Sequence, residues 1–370
     1  MSDAIDKGAV IITVDPRFSV AAGKSKYWLP VKPATDMALL LAWIHEVIYN
    51  EYYDSKYVSD YCTGFEELKQ HVRDFTPEWA YGITTIRPDQ IRATAKEMAN
   101  ASPAVLIHPG RHVTWYGDDT QRERAIAILN ALLGSWGRRG GFYRPARFEL
   151  TQPELPPYKE SEKSWTDLFP GLYPGASTAV TNVLIDASIP ENNPAYPIKG
   201  WFVNATNLIL TIPDQERTLK AIGNLDLIVA VDTMPMEITG WADVVLPECT
   251  YLERYDVLRN SPHRKPSLAL RMPAVEPLYN TKPGYTIARD LALKLGLGDS
   301  FPYERQEELL DWQLKQAGSS LEEMQRIGVL NRERDYDDIF IAENEQVEFF
   351  TDSGKIELYS DYLQQIGSDP

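Results

Sequence analysis

Two stretches of this chain share one pattern and one spacing. Residues 9–36 read AVIITVDPRFSVAAGKSKYWLPVKPATD, with an apolar run ending at Val14-Asp15, a polar loop, and a second apolar run ending at Leu29-Pro30. Residues 224–253 read NLDLIVAVDTMPMEITGWADVVLPECTYLE, with an apolar run from Leu227 to Val231, then Asp232, a loop, and a short run from Val244 to Leu246 closed by Pro247. Asp15 to Pro30 is fifteen residues, and Asp232 to Pro247 is also fifteen. Short β-branched runs that stop at an Asp read as buried strands of an open α/β sheet. Such sheets bind ligands in loops at the carboxyl ends of their strands. Two similar half-sites imply two similar ligands, or one ligand with two similar halves. The plain alternative is coincidence, because any α/β protein has several strands ending in Asp before a loop.

The chain has 370 residues, enough for two domains and a large core. Its net charge of −16 argues against a nucleic-acid or anionic-membrane surface, since phosphate binding needs clustered Lys and Arg. Cys62 and Cys249 stand far apart and no CxxC occurs. The chain by itself therefore supplies neither a cysteine-ligated iron–sulfur cluster nor a zinc site of the usual kind. No stretch approaches the roughly 20 apolar residues of a membrane helix, so no direct membrane insertion is expected. The first apolar run is a β-branched strand rather than a signal peptide. The chain enters that strand after about one helical turn and stops just after a strand-like run and a short helix. Both ends are expected to be cut from something larger.

In order, strands are expected over Lys7–Asp15 and Tyr27–Val31. Asp15-Pro16-Arg17 forms the first loop, where the carboxylate suits a ribose or heterocycle and the guanidinium a phosphate; a local Asp–Arg turn salt bridge is the simpler reading. Thr35 or Asp36 is a natural N-cap for a helix over Met37–Asn50; Asp36 alternatively pairs with two N–H donors of a purine edge. Helices are expected over Asp54–Tyr61, Glu66–Asp74 and Pro88–Asn100, with further starts at Thr76-Pro77 and Arg87-Pro88. Ala104–Ile107 reads as a buried strand running into His108-Pro109-Gly110-Arg111-His112. There Gly110 would let backbone approach a ligand, and Arg111 and His112 would supply charge and protons. Asp118–Leu133 reads as a helix. Gly134–Arg147, with four glycines and four arginines, reads as a mobile or ligand-cradling loop of positive charge. Residues 151–197 read as a long irregular connection. A strand over Trp201–Asn204 and a helix opened by Pro213-Asp214 follow. Arg254–Arg271 reads as a basic loop. Helices are expected over Thr286–Leu295, Tyr303–Gln316 and Leu321–Ile327. The tail reads as a hairpin around Asp352-Ser353-Gly354.

Together these residues resemble the molybdopterin oxidoreductases of the dimethyl sulfoxide reductase superfamily. The markers are DPR at Asp15, PATD at Pro33–Asp36, TPEWAYGIT from Thr76, and above all DTMPMEITGWADVVLPECTYLER from Asp232. Within that superfamily, HPGRHVTWYGDDTQRERAIAILNALLGSWGRRGG resembles the catalytic subunits of polysulfide and thiosulfate reductases.

The resemblance implies an α/β fold of two open, Rossmann-like domains related by a pseudo-twofold, with irregular connections. It places a first molybdopterin-guanine-dinucleotide domain at 1–150, a connection at 151–200, a second such domain at 201–345, and a tail at 346–370 leading to a missing C-terminal domain. The cofactor implied is bis-molybdopterin guanine dinucleotide with molybdenum. Positions matching the nucleotide loops are Asp15, Arg17 and Asp36, then Asp232, Thr239 and Asp243. Gly110, with Arg111 and His112, sits where a loop approaches the pterins. Asn204 and Asn207 fall where the family often has Gly-x-Asn-Pro. Arg147 falls where relatives carry an arginine near the metal, and with Arg111 and His112 it is the expected catalytic group.

The family's cysteine motif for a [4Fe–4S] cluster, its molybdenum-ligating segment and its C-terminal barrel are absent from the sequence, so no metal ligand is assigned here and the cluster is expected only in a missing N-terminal region. The implied activity is two-electron reduction of a sulfur compound (polysulfide, thiosulfate or tetrathionate) in anaerobic respiration. The implied setting is the periplasm, beside an iron–sulfur subunit and a membrane anchor. A cofactor-less scaffold homologue, or a related enzyme of formate, nitrate or arsenate, is the alternative. A nicotinamide-dependent dehydrogenase is disfavoured because no GxGxxG follows any strand.

Overall fold

A computed structural model describes residues 1–108, 119–157, 181–193, 196–342 and 345–370. The chain divides into two compact units, residues 1–145 with 334–370, and residues 146–333. The boundary therefore falls at Pro145, and the C-terminal segment belongs with the first unit. Residues 346–370, read from sequence as a separate tail, return to pair with it.

In the first unit a short helix, Ser2–Asp6, precedes strand β1, Ile12–Val14. The strand is shorter than its apolar run because its partner β2 spans only Tyr27–Leu29. The two pair in parallel, with Ile12 opposite Tyr27 and Val14 opposite Leu29. Helix α3, Asp36–Tyr49, is the hub of this unit. Leu39, Ala42, Trp43, Ile44, Val47 and Ile48 are all buried, on more than one face. A helix apolar all round must be enclosed. It is packed by α6, Pro77–Thr84, by α7, Pro88–Ala101, and by α8, Asp119–Leu132. Trp43 adds a buried hydrogen bond, its indole N–H donating to Thr94 Oγ1 at 2.9 Å. Thr76 caps α6 by accepting from Trp79 N–H, with Pro77 at the first helical position.

Three sequence expectations change here. Ala104–Ile107 forms no strand. The Asn130 amide on α8 accepts from Ile107 N–H and donates to Ile107 C=O, taking the place of a neighbouring strand. Gly134–Pro145 is a packed turn rather than an open loop. Trp136 stacks on Phe142 with centroids 4.1 Å apart, and a Cβ on Gly141 would overlap the Ser135 carbonyl oxygen. The C-terminal hairpin keeps its turn, Phe349 N–H to Gly354 C=O at 2.9 Å. Its strand, Ile356–Glu357, instead pairs in parallel with β3, Cys62–Thr63.

The second unit holds a parallel sheet in the order β4-β5-β6, spanning Gly200–Asn204, Leu227–Asp232 and Val244–Pro247. Its covered face carries Trp201, Val203 and Ile228, packed among Ile185, Ile209, Ala221 and Ile222. Ile185 lies on a helix, Thr181–Ala187, inside the stretch read as irregular. The supposed basic loop contains two strands, Arg259–Ser261 and Ser267–Ala269, completed into an antiparallel sheet by Val329–Asn331. Leu268, Leu310, Leu314 and Met324 form the core beneath it.

Candidate functional site

Val229 lies opposite Val244 and Asp232 opposite Pro247, so β5 and β6 are offset by fifteen residues. The β1–β2 register has the same offset. The spacing seen in the sequence is thus the parallel register of two separate sheets. Parallel neighbours need a crossover of about a dozen residues. A helix, Val20–Lys24, lies within the first, and a 3-10 turn, Glu237–Gly240, within the second.

At the carboxyl end of β1, Asp15 folds back on its own loop, with Oδ1 accepting from Arg17 N–H at 2.9 Å. Trp28 Nε1 donates to the Asp15 carbonyl at 2.8 Å. This fixes the loop backbone and leaves the Arg17 guanidinium exposed, with no side-chain partner among the described residues. The Asp15–Arg17 salt bridge therefore does not form; the contact is through backbone. Phe18 is exposed beside it, edge-on to Trp28 at 4.9 Å. The loop after β2 holds Ala34 at φ +64, a left-handed conformation that non-glycine residues adopt mainly where surrounding structure imposes it. Thr35 is the N-cap residue of α3, but its hydroxyl donates to Lys32 C=O at 2.6 Å. Asp36 lies in the first turn, half-buried, with its carboxylate unpartnered among the described residues. Asp15 and Arg17 thus lie on the loop leaving β1, and Asp36 on the first helical turn reached from β2, after the carboxyl ends of two paired strands.

The second sheet places Asn204 at the end of β4 and Asp232 at the end of neighbouring β5. Asp232 is nine-tenths buried, and its Oδ1 accepts from Thr233 N–H at 2.7 Å and Met234 N–H at 3.4 Å. Ala205, at φ +53, turns the chain from Asn204 toward Asn207. The Asn207 amide nitrogen donates to Glu237 Oε2 at 2.5 Å, tying the two loops together. Its amide oxygen is buried with no partner among the described residues.

Two other expected positions have structural tasks. The Thr239 hydroxyl accepts from Met236 N–H and donates to Met236 C=O, closing the 3-10 turn. Asp243 stands at the amino end of β6, where Oδ2 accepts from Ile228 N–H at 2.7 Å. Four strand residues separate that level from Asp232, about 13 Å at the usual rise. The structure does not bring Asp243 to the carboxyl edge. Glu237 was not singled out from the sequence, although it lies within the family phrase DTMPMEITGWADVVLPECTYLER, five residues after a strand-ending Asp.

The four arginines of the glycine-rich loop divide sharply. Arg138 pairs with Asp54, Arg139 with Asp337 and Arg144 with Glu345. Arg147, in the second unit, is exposed and has no side-chain partner among the described residues. Its backbone is pinned on both sides. Ala146 and His263 exchange backbone hydrogen bonds, and the Asn260 amide holds both Phe148 backbone groups. Gly110, Arg111 and His112 lie outside the described residues, as does any convergence of Arg147 with them.

Cys62 and Cys249 are free and buried, and burial pushes the Cys62 thiol up to about 12. Cys62 therefore stays protonated at neutral pH and is a poor nucleophile or ligand. Among the described residues, no group of His, Cys, Asp and Glu is arranged to hold a metal ion, and no helix is long and apolar enough to cross a membrane.

The family model for molybdopterin oxidoreductases matches residues 1–294. The molybdopterin-containing subunit of thiosulfate reductase from Salmonella typhimurium is 31% identical over 98% of this chain and 52% of its own length. Acetylene hydratase from Syntrophotalea acetylenica is 29% identical over 99% of this chain and 53% of its own. The solved structure of acetylene hydratase from Pelobacter acetylenicus covers the whole chain and 54% of its own, with a TM-score of 0.82 and 28% identity. The chain spans about half the length of the curated relatives it matches. With a family model over most of its length and the same mixed helix-and-sheet fold in a solved relative, this chain belongs to the molybdopterin oxidoreductase family.

Proposed function

We propose that this chain is the cofactor-holding part of a molybdenum-dependent catalytic subunit that reduces a sulfur compound by two electrons. One observation carries the reading. Two strand–Asp–loop–strand frames, each with a fifteen-residue parallel offset, display polar side chains at their carboxyl edges. That arrangement suits a cofactor with two nucleotide ends, one per unit, as in bis-molybdopterin guanine dinucleotide. The residues present fit the nucleotide ends. Arg17 offers a cation with no side-chain partner among the described residues, suited to a phosphate. Asp36, Asp232 and Asn207 offer acceptors for a base or ribose.

When bound, the cofactor supplies the two-electron redox centre; the protein's part is position and electrostatics. Arg147, with its backbone pinned and its guanidinium without a side-chain partner among the described residues, suits an anionic sulfur oxyanion, because its fork of donors is fixed. Arg111 and His112 complete the proposed catalytic set. For thiosulfate the balance is S2O3(2−) + 2 e− + 2 H+ giving HSO3− + HS−. The S–S bond breaks, and both electrons come from an iron–sulfur partner subunit. The same proposal includes a membrane anchor, a [4Fe–4S] cluster held elsewhere in the catalytic subunit, a periplasmic setting and a role in anaerobic respiration. The thiosulfate reductase relative supports the substrate class.

A second reading has its own support, since one curated relative and one solved structure are acetylene hydratases. The same frame would then serve a hydration with no net electron transfer. The test is reduced-viologen oxidation by the protein carrying this sequence, purified from cells that make molybdenum cofactor. Turnover with thiosulfate, tetrathionate or polysulfide is expected. Turnover only with nitrate or arsenate, or reduction of oxidised viologen by formate, would overturn the substrate class. Cofactor bound with acetylene hydration and no viologen oxidation would favour the second reading. Absence of cofactor would leave a scaffold.

A further inference from the structure

Arg147 is exposed, yet both peptide groups that flank its Cα are held. The peptide joining Ala146 to Arg147 is held by backbone. His263 N–H donates to Ala146 C=O at 3.1 Å, and Ala146 N–H returns a bond to His263 C=O at 3.2 Å. Hydrogen-bonded pairs of an antiparallel ladder recur every second residue, so Phe148 would next pair with the backbone of Ser261. Its partner is instead a side chain. Phe148 N–H donates to Asn260 Oδ1 at 3.1 Å, and Asn260 Nδ2 donates to Phe148 C=O at 2.7 Å. A side-chain amide carries the donor and acceptor of a peptide group and can stand in for one. The N–H that Asn260 holds belongs to the peptide joining Arg147 to Phe148. Beyond it the Phe148 ring is buried with Leu268, Leu310 and Leu314, with the Arg332 guanidinium 4.5 Å from its centre.

We infer that Asn260 is a positioning residue for Arg147: its amide sets the plane of the peptide that follows Arg147 and so aims the guanidinium at the anionic substrate. The inference rests on the proposed role of Arg147 at a sulfur oxyanion. An arginine that closes on an anion gives up rotamer freedom, which opposes binding. A backbone already fixed on both sides of the Cα removes part of that cost before the substrate arrives. Of the two clamps, the one from His263 is backbone and survives any side-chain change. The one from Asn260 depends on a single side chain. Burial of the Phe148 ring fixes where that residue sits, whereas the bonds to Asn260 fix how its peptide is turned.

The test is a double-mutant cycle on the cofactor-loaded protein carrying this sequence, with Asn260→Ala, Arg147→Ala and the pair. It is read as kcat/KM for thiosulfate with reduced viologen, beside molybdenum content. Asn260→Ala is expected to lower kcat/KM about tenfold, to leave molybdenum content unchanged, and to add no further loss once Arg147 is replaced. Hydrogen exchange reads the clamp without turnover: the Phe148 amide is expected to exchange about tenfold faster, or more, in Asn260→Ala. Asn260→Gln keeps donor and acceptor on a longer arm and should recover part of kcat/KM; it takes the place of Asn260→Ala in the cycle if the alanine variant does not fold. Equal losses on substituting Asn260 in both backgrounds, or unchanged exchange at Phe148, would overturn the inference while the role of Arg147 stands, since Asn260 would then serve the fold alone. Wild-type kcat/KM in Arg147→Ala would overturn the role of Arg147 and the inference with it. No turnover of any sulfur compound by the wild type would overturn both together with the proposed reaction.

Discussion

The two strand–Asp–loop frames share a register and differ in what they display. The first rests on a two-stranded sheet and shows solvent a guanidinium, Arg17, beside an exposed ring, Phe18. The second rests on three strands and carries acceptors: Glu237 exposed, Asp232 buried, and the buried oxygen of Asn207, which has no partner among the described residues. One backbone solution therefore carries two recognition chemistries. A cation suits the phosphates of a nucleotide, and an acceptor edge suits its base. If the two frames hold like ends of one cofactor, they hold them by different atoms.

The largest expected effect concerns the foundation of the frames. Trp201 is buried under β4, with its indole N–H on Ser188 Oγ at 2.9 Å. Trp201→Ala should cost about 3–5 kcal/mol in denaturant unfolding, and Trp28→Ala, at a half-buried ring of the first frame, clearly less. Equal costs would mean the two sheets are equally supported, against the comparison. Next come the strand-ending carboxylates. Asp232→Ala strands two loop N–H groups near a buried position and should cost about 1–3 kcal/mol, whereas Asp15→Ala frees one N–H in a more open loop. A larger loss for Asp15 would reverse the assignment of the more enclosed site.

Acid should act on both units. Hydrogen bonds from Thr250 N–H, Thr250 Oγ and Leu278 N–H hold the Glu253 carboxyl below the usual glutamate range. In the first unit, burial pushes Asp54 up, but the Tyr57 N–H and Arg138 outweigh it, and the net shift is downward. Both carboxylates have folded values below their unfolded ones. Their contribution is therefore present above the unfolded pKa, near 4, and is lost as pH falls through the folded value. Urea midpoints measured from pH 6 down to 2 should fall along this limb, and Glu253→Gln should flatten it; an unaltered limb would contradict the hydrogen-bond assignment. The smallest stability effects belong to the exposed cations. Arg17→Ala and Arg147→Ala should shift unfolding by no more than about 0.5 kcal/mol. Arg147→Ala should lower turnover more than cofactor content, and the reverse would make it a structural residue.

Much of this was legible in the sequence for physical reasons. The fifteen-residue spacing survived because a parallel register is a property of sequence distance. The helix over 36–49 carried a long apolar run, and the helix over 88–101 carried a proline at its start and apolar residues at helical spacing. What escaped detection depended on tertiary partners. Ala104–Ile107 has a strand's composition, but its backbone bonds go to a side chain, Asn130. The strands at Arg259–Ser261 and Ser267–Ala269 are hidden by flanking Pro262 and Pro266 and by charge. The arginines of the glycine-rich loop looked like a free positive patch, yet three of the four lie in ion pairs with distant acids. Asp243 sits inside a family phrase, but it closes a strand end away from the loops.

The central claim is that both frames hold nucleotide. The most direct measurement is on this chain expressed in a host that makes molybdenum cofactor, counting GMP released by mild acid hydrolysis and molybdenum per chain. The account predicts GMP near two per chain, falling toward one when either Arg17 and Asp36 or Asp232 and Glu237 are replaced by alanine. GMP near zero in the folded wild-type chain, or a value unmoved by either pair of substitutions, would contradict it.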